Sequence, residues 1–107
     1  MDALKIKEII KSLATLDYEG MYRDDFLLTW EKREDEVMAT FLVADILRGL
    51  REKNISSRIF DSGLGISIFR DQSTRTRFSF TSACNLLGLT VQDFDEGKSQ
   101  VAHGETV

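Results

Sequence analysis

The stretch that decides the fold is GISIFRDQSTRTRFSF, residues 65–80. Its apolar run, residues 66–69, is bounded by glycine on one side and by Arg-Asp-Gln on the other, which is typical of a short buried strand. Five polar residues, Ser-Thr-Arg-Thr-Arg at 73–77, come next, and an apolar helical pattern follows them. The stretch therefore predicts a strand, a polar loop and the beginning of a helix.

The residues on the C-terminal side complete a crossover unit. The helix has apolar side chains at helical spacing: Phe78, Phe80, Ala83, Leu86 and Leu87. It is predicted to end at Gly88, because glycine is favoured just after a helix C-terminus. LTVQDFD, residues 89–95, predicts a second strand. The predicted fold class is α/β, a parallel sheet flanked by helices, with strand–helix–strand at 64–95 preceded by two helices.

Two amphipathic helices are predicted before this unit. In residues 2–16 the apolar side chains recur at spacings of three and four: Leu4, Ile6, Ile9, Ile10, Leu13 and Leu16. A longer helix is predicted from about Arg33 to Lys53. Its predicted core stripe consists of Val37, Phe41, Ala44, Leu47 and Leu50, widened by Met38, Leu42 and Ile46. Such stripes indicate helices that pack one face against a core.

Composition limits the classes of function. A chain of 107 residues has the size of one domain, and 42% hydrophobic with 30% charged residues is an ordinary globular composition. The net charge of −4 argues against nucleic acid or an anionic membrane surface as the main partner. No apolar run approaches the ~20 residues of a membrane span. The arginines near residues 70–77 are therefore a local exception in an acidic chain.

The reactive side chains do not suggest a metal. Cys84 is the only cysteine, so it forms no internal disulfide, and a cytoplasmic location is expected. On a predicted helix it is expected to be a small core residue. His103 is the only histidine, and no pair of closely spaced cysteines accompanies it. The sequence therefore predicts neither a metal site nor a cofactor.

The polar run at 73–77 lies where α/β proteins bind ligands, beyond the carboxyl end of a strand. The first N–H groups of a helix lack internal partners and, with hydroxyl groups and an arginine, suit a phosphate. Arg75 and Arg77 are two residues apart and point in different directions, so we expect one to reach the anion and the other to face a structural carboxylate. The alternative is a plain Ser or Thr cap followed by solvent-exposed arginines.

The motif STRTRFSF, followed by HGET at 103–106, resembles the aspartate/ornithine carbamoyltransferase family. That family's signature is Ser-x-Arg-Thr-Arg before an apolar helix, then a loop ending in Gly-Glu. The similarity runs through most of residues 25–107. Within the family, the sequence resembles the YgeW-type branch in particular. The resemblance identifies residues 1–107 as the N-terminal part of a carbamoyl-phosphate-binding domain, with the acceptor-binding domain absent from this chain.

The resemblance implies a reaction in which carbamoyl phosphate donates its carbamoyl group to the amine of an amino-acid-like acceptor and releases phosphate. Ser73, Thr74, Arg75 and Thr76 would hold the phosphate. Thr76 would also reach the carbonyl oxygen, and Arg75 would stabilise the charge on the departing phosphate, so these two are the implied catalytic residues. No metal, cofactor or covalent intermediate is implied. Arg77 is assigned to structure, with Glu105 as its expected partner.

The resemblance also implies a homotrimer or higher oligomer with sites at subunit interfaces. The loop at 96–106 would complete the site of a neighbouring subunit, with Ser99 and His103 as the substrate-binding residues. His103 stands where aspartate enzymes of the family carry a lysine, and it is a weaker, pH-dependent cation. Lys98 is the alternative source of positive charge on this loop.

Residues that the family's reaction needs further along the chain are not present in this sequence. We therefore expect the chain to be the front part of a longer protein and to be inactive alone. Two alternatives remain open at this point. In the first, the chain is a small module that binds an anion or phosphate, or a partner, without catalysis. In the second, the long helix and its partners form a dimerisation surface and the arginine stretch is only a capped helix.

Overall fold

The computed structural model describes residues 1–70 and 73–95. The chain divides into two compact units, Met1–Ser56 and the part that begins at Ser57. Within the described residues, no helix combines the length and the apolar character needed to cross a membrane.

The first unit is a pair of helices. Helix α1 spans Ala3–Leu13 and helix α2 spans Glu34–Glu52. Two short 3-10 helices lie between them, Glu19–Met21 and Thr29–Glu31. The bounds of α2 agree with the predicted 33–53, and α1 ends three residues earlier than predicted.

Contacts at both ends show that α1 and α2 run antiparallel. The amino group of Met1 donates to a carboxylate oxygen of Glu52 at 2.9 Å, which joins the start of α1 to the end of α2. At the opposite end, the Arg33 guanidinium lies 3.1 Å from the Asp17 carboxylate. The start of α1 is capped by Asp2, whose carboxylate accepts from the Lys5 N–H at 2.8 Å.

The core of this unit is smaller than the sequence predicts. Ile6 and Ile9 are buried as expected, and Ala39 is the buried apolar residue of α2. The predicted stripe of α2 is wrong in part, because Phe41 is 62% exposed and Met38 is also exposed. Leu4, Ile10 and Ala44 are exposed as well, against prediction. The apolar surface of α2 is wider than the surface that α1 and the intervening segment cover, so part of the predicted stripe faces outward.

The second unit is the predicted crossover. Strand β1 spans Leu64–Phe69, helix α3 spans Thr74–Leu87 and strand β2 spans Thr90–Asp95. The two strands pair in parallel, with Ser67 opposite Asp93 and Phe69 opposite Asp95. This confirms the predicted α/β class and the strand–helix–strand order.

Helix α3 packs closely on one face of the strands. A Cβ at Gly65 would lie 2.7 Å from the Cys84 sulfur and 3.7 Å from the Phe80 ring, so the glycine makes this approach possible. Cys84 is buried, as predicted for a small core residue. The prediction for Phe78 is wrong: it is 72% exposed, because the helix turns Phe80 and Cys84 toward the sheet instead.

Helix α3 ends at Gly88, as predicted. Gly88 has a φ of 99°, in the left-handed region that glycine adopts without a steric penalty. A Cβ at this position would collide with the carbonyl oxygen of Phe60, whose own N–H donates to the Leu87 carbonyl at 3.0 Å. The residues around Phe60 therefore pass directly across the end of α3.

Candidate anion-binding site

The site predicted from the sequence lies at the beginning of α3. Strand β1 ends at Phe69, α3 begins at Thr74, and Ser73 occupies the N-cap position. Both strands end at this edge of the sheet, since they are parallel and Phe69 pairs with Asp95. The turn at 73–76 therefore lies beyond the carboxyl ends of the strands, the usual ligand position in α/β sheets.

Ser73 does not cap α3 through its side chain. The hydroxyl of Ser73 accepts no hydrogen bond from the N–H groups of the helix, although serine is a favoured cap residue. The plain-cap alternative therefore fails at the residue on which it depends. The first N–H groups of a helix also carry the positive end of its dipole. The turn consequently has the donors and the field that bind an anion.

Arg75 is the exposed cation of this turn. Thr74, Arg75 and Thr76 are all exposed. Within the residues that the structure describes, the Arg75 side chain makes no hydrogen bond or ion pair. Its guanidinium is accordingly available to a ligand without the loss of an interaction among those residues.

Arg77 has a different environment. Its guanidinium pairs with the Asp93 carboxylate and lies over the Phe69 ring, 5.1 Å from the ring centroid. The prediction that the two arginines diverge and that one of them faces a structural carboxylate is confirmed. The carboxylate that the structure shows is Asp93, whereas the expected partner was Glu105. Glu105 lies outside the described residues. So do Ser99 and His103, the predicted ligands from the neighbouring subunit, and Lys98, the alternative cation.

Asp93 is the residue of the site that the sequence analysis missed. Its second carboxylate oxygen accepts from the hydroxyl of buried Ser67 at 2.6 Å. This hydrogen bond is the largest influence and holds the pKa of Asp93 below its ordinary value; desolvation opposes it, and the pairing with Arg77 lowers the pKa further. A signal was present in the sequence, because alternation in β2 places Asp93 on the same face as apolar Val91, the face that a helix covers. A carboxylate on that face needs a cationic partner from the helix.

The other polar cluster does not resemble an anion site. In the first unit a cavity of about 240 Å³ is lined by Asp24, Asp25, Leu27, Glu31 and Lys32. The Lys32 ammonium already pairs with Asp24 at 3.1 Å and lowers the pKa of that carboxyl group. Across residues 1–70 and 73–95, no group of three or more His, Cys, Asp or Glu side chains could hold a metal ion.

Comparison with known proteins agrees with this geometry. Residues 24–107 match the family described as aspartate/ornithine carbamoyltransferase, carbamoyl-P binding domain. The chain is 58% identical over 102 residues, 95% of its length, to YgeW of Escherichia coli (strain K12), whose name assigns it to the carbamoyltransferases. It is 34% identical over 83 residues, 78% of its length, to the ornithine carbamoyltransferase of Prochlorococcus marinus subsp. pastoris (strain CCMP1986 / NIES-2087 / MED4).

These matches cover only part of each relative. The chain spans 26% of YgeW and 26% of the Prochlorococcus enzyme, about a quarter of their lengths. The family match nevertheless covers most of this chain and includes the whole of the β1–α3–β2 unit and the turn at 73–76. The protein belongs to the aspartate/ornithine carbamoyltransferase family.

Proposed function

We propose that the full-length protein is a carbamoyltransferase that binds carbamoyl phosphate at the first turn of α3. The observation that carries the proposal is the start of α3 beyond the carboxyl ends of both strands, where Ser73 makes no side-chain cap and Arg75 is exposed. The family match to a carbamoyl-P binding domain supports carbamoyl phosphate over other phosphate-containing ligands.

In the proposed reaction, the amine nitrogen of an amino-acid-like acceptor attacks the carbonyl carbon of carbamoyl phosphate. The new C–N bond forms as the bond from that carbon to the phosphate oxygen breaks, and the departing phosphate carries away its electron pair. The attacking amine loses one proton, for which the departing phosphate is an acceptor. The chemistry needs no group covalently attached to the protein.

The residues of the turn have separate roles in this proposal. Ser73 and Thr74 hold the phosphate through hydroxyl and N–H groups, and Thr76 also donates to the carbonyl oxygen. Arg75 stabilises the negative charge that develops on the departing phosphate. Because the site fixes donor and acceptor next to each other, positioning supplies much of the remaining rate enhancement.

The proposal extends to the assembly. We place Ser99 and His103 of a neighbouring subunit at the phosphate, in a homotrimer or higher oligomer. The side chain of His103 would contribute positive charge only when protonated, so this part of the site would depend on pH. A cytoplasmic location belongs to the same proposal and is supported by the single cysteine of the chain.

Binding of phosphonacetamide, a stable mimic of carbamoyl phosphate, tests the proposal in the full-length protein. We expect saturable binding by calorimetry that weakens about 10- to 100-fold in Arg75→Ala, the loss of a charge-assisted hydrogen bond. Arg51→Ala is the matched control, because Arg51 is also an exposed arginine and carries the same charge. Unchanged affinity in Arg75→Ala, or no binding by the folded wild type, would contradict the proposal.

Catalysis is tested separately. The protein is incubated with carbamoyl phosphate and a panel of amino acids, and carbamoylated product is measured. We expect product with at least one amine, formed about 10²- to 10³-fold more slowly by Arg75→Ala. Saturable binding without product from any amine in the panel would favour the anion-binding module over the transferase.

A further inference from the structure

We propose that Asp93 and Ser67 are positioning residues for the anion-binding turn. They hold the Arg77 side chain, and through it the first turn of α3, in the orientation that presents residues 73–76 to carbamoyl phosphate. This inference rests on the proposed function, and it assigns to two strand residues a part in ligand binding.

The first link is within the helix. The Arg77 N–H donates to the Ser73 carbonyl at 2.9 Å, and this hydrogen bond closes the first turn of α3. The side chain of the same residue pairs with Asp93 and lies over the Phe69 ring. Arg77 therefore both closes the turn that contains the proposed ligands and attaches it to the two strands.

The second link fixes Asp93 itself. One of its carboxylate oxygens accepts from the Ser67 hydroxyl at 2.6 Å, and the other accepts from Arg77. Ser67 is 5% exposed and lies directly opposite Asp93 in the parallel register. Because its two oxygens have different partners, the carboxylate is held in one orientation, and the guanidinium that binds it is held as well.

The third step connects this anchor to the ligand. Backbone N–H groups bind an anion well only when their directions are fixed, since a small tilt of the turn misaligns several donors together. Arg77 attaches this turn to both strands, so the orientation of the turn depends on the Arg77 side chain. Loss of the anchor would accordingly weaken binding even in molecules that remain folded.

The sign of the effect separates this role from simple electrostatics. Asp93 is an anion close to a site for an anion, so its charge by itself opposes binding. If charge alone mattered, Asp93→Asn would remove this opposing charge and tighten the binding of phosphate. If Asp93 positions the turn, Asp93→Asn weakens it.

The test is calorimetry on the full-length protein with phosphonacetamide and with inorganic phosphate, at a temperature where each variant is folded. We expect Asp93→Asn to raise Kd about fivefold and Ser67→Ala about twofold, the range of a partly exposed charge pair converted to affinity. Asp61→Asn is the control, because Asp61 is an exposed carboxylate of the same unit, and its Kd should not change.

A double variant tests whether Asp93 acts through Arg77. The double variant, Arg77→Gln with Asp93→Asn, should have a Kd no higher than that of the weaker-binding single variant. The reason is that both substitutions remove the same contact between Arg77 and Asp93. Additive losses would overturn the inference. So would an Asp93→Asn protein that is folded and binds as tightly as the wild type, or more tightly. Should Asp93→Asn not fold, Ser67→Ala decides, and an unchanged Kd in that variant overturns the inference.

Failure of this inference is distinguishable from failure of the proposed function. If the wild type binds neither probe, or if Arg75→Ala binds as tightly as the wild type, the proposed function and the inference both fail. Binding that depends on Arg75 but is insensitive to Asp93 and Ser67 removes the inference alone.

Discussion

Arg75 and Arg77 carry the same chemical group in different surroundings. Arg75 is exposed, whereas Arg77 is half-buried against Asp93 and Phe69. A helix turns by about 100° per residue, so two side chains that are two residues apart lie on nearly opposite faces. This geometry divides one short motif into a side chain available to a ligand and a side chain that anchors the helix.

At this scale the structure predicts an acid sensitivity that depends on Asp93. Its folded-state pKa lies below the unfolded value of 3.8, chiefly because Ser67 donates to the carboxylate. A depressed pKa stabilises the folded state above the unfolded pKa, and this stability is lost as pH falls through the folded pKa. The difference in stability between wild type and Asp93→Asn should therefore be largest near neutral pH and should shrink below about pH 4.

Thermal melts of wild type and Asp93→Asn between about pH 7 and about pH 3 measure this difference. The pKa values of Asp24 and Glu52 are lowered too, by Lys32 and by the terminal amino group, so the wild type alone does not isolate Asp93. Asp61→Asn again serves as the control. A gap in melting temperature that stays constant down to about pH 3 would rule out this role.

At the scale of the element, α3 is defined at both ends by different means. Its start is attached through Arg77, and its end is set by Gly88, which no side chain could replace without strain. Between the ends, Phe80 and Cys84 contact β1 at Gly65. The helix is thus fixed at three places along its length, and the turn at 73–76 stays exposed.

Gly88→Ala should be strongly destabilising. The new Cβ would be strained at a φ of 99° and would collide with the Phe60 carbonyl oxygen. Strain and overpacking together suggest a loss of about 2–4 kcal/mol in the free energy of unfolding. Chemical denaturation measures it. Gly20→Ala is the matched control, since Gly20 lacks a positive φ and its Cβ would approach the Glu36 carboxylate no closer than 3.3 Å; equal losses in the two variants would contradict the prediction.

At the scale of the whole molecule, much apolar surface is uncovered. Among residues 1–70 and 73–95, no large side chain is fully buried. Large apolar side chains are exposed in both units, and they include Trp30, Phe41, Ile59, Ile66 and Phe78. Soluble monomers rarely expose large apolar patches, so we expect these side chains to be covered in the full-length, assembled protein.

The 107-residue chain expressed alone should therefore bind a hydrophobic dye and self-associate, whereas the full-length protein should do neither beyond its native oligomer. Dye fluorescence and sedimentation velocity at several concentrations compare the two. A chain that remains monomeric and dye-free would show that its own residues cover these side chains.

The sequence by itself determined the main helices and strands and the position of the candidate site, although α1 ends earlier than predicted and the two 3-10 helices were not predicted. Apolar periodicity gives α2, α3 and both strands close to their observed bounds, and the position of Gly88 gives the end of α3. These features depend on local spacing and on backbone conformation, which neighbouring residues dictate. The motif at 73–77, with its flanking strand and helix, likewise predicted the position of the candidate anion site and the divergence of the two arginines.

Only the tertiary structure decided which faces are buried and that Arg77 contacts Asp93. Phe41 and Phe78 have the spacing of core residues, yet both are exposed, because burial depends on which neighbour is present. Asp93 is sixteen residues from Arg77, and its pairing with Ser67 requires the parallel register of two separate strands. Such contacts join residues that are distant in the chain, so they are fixed by packing and not by local pattern.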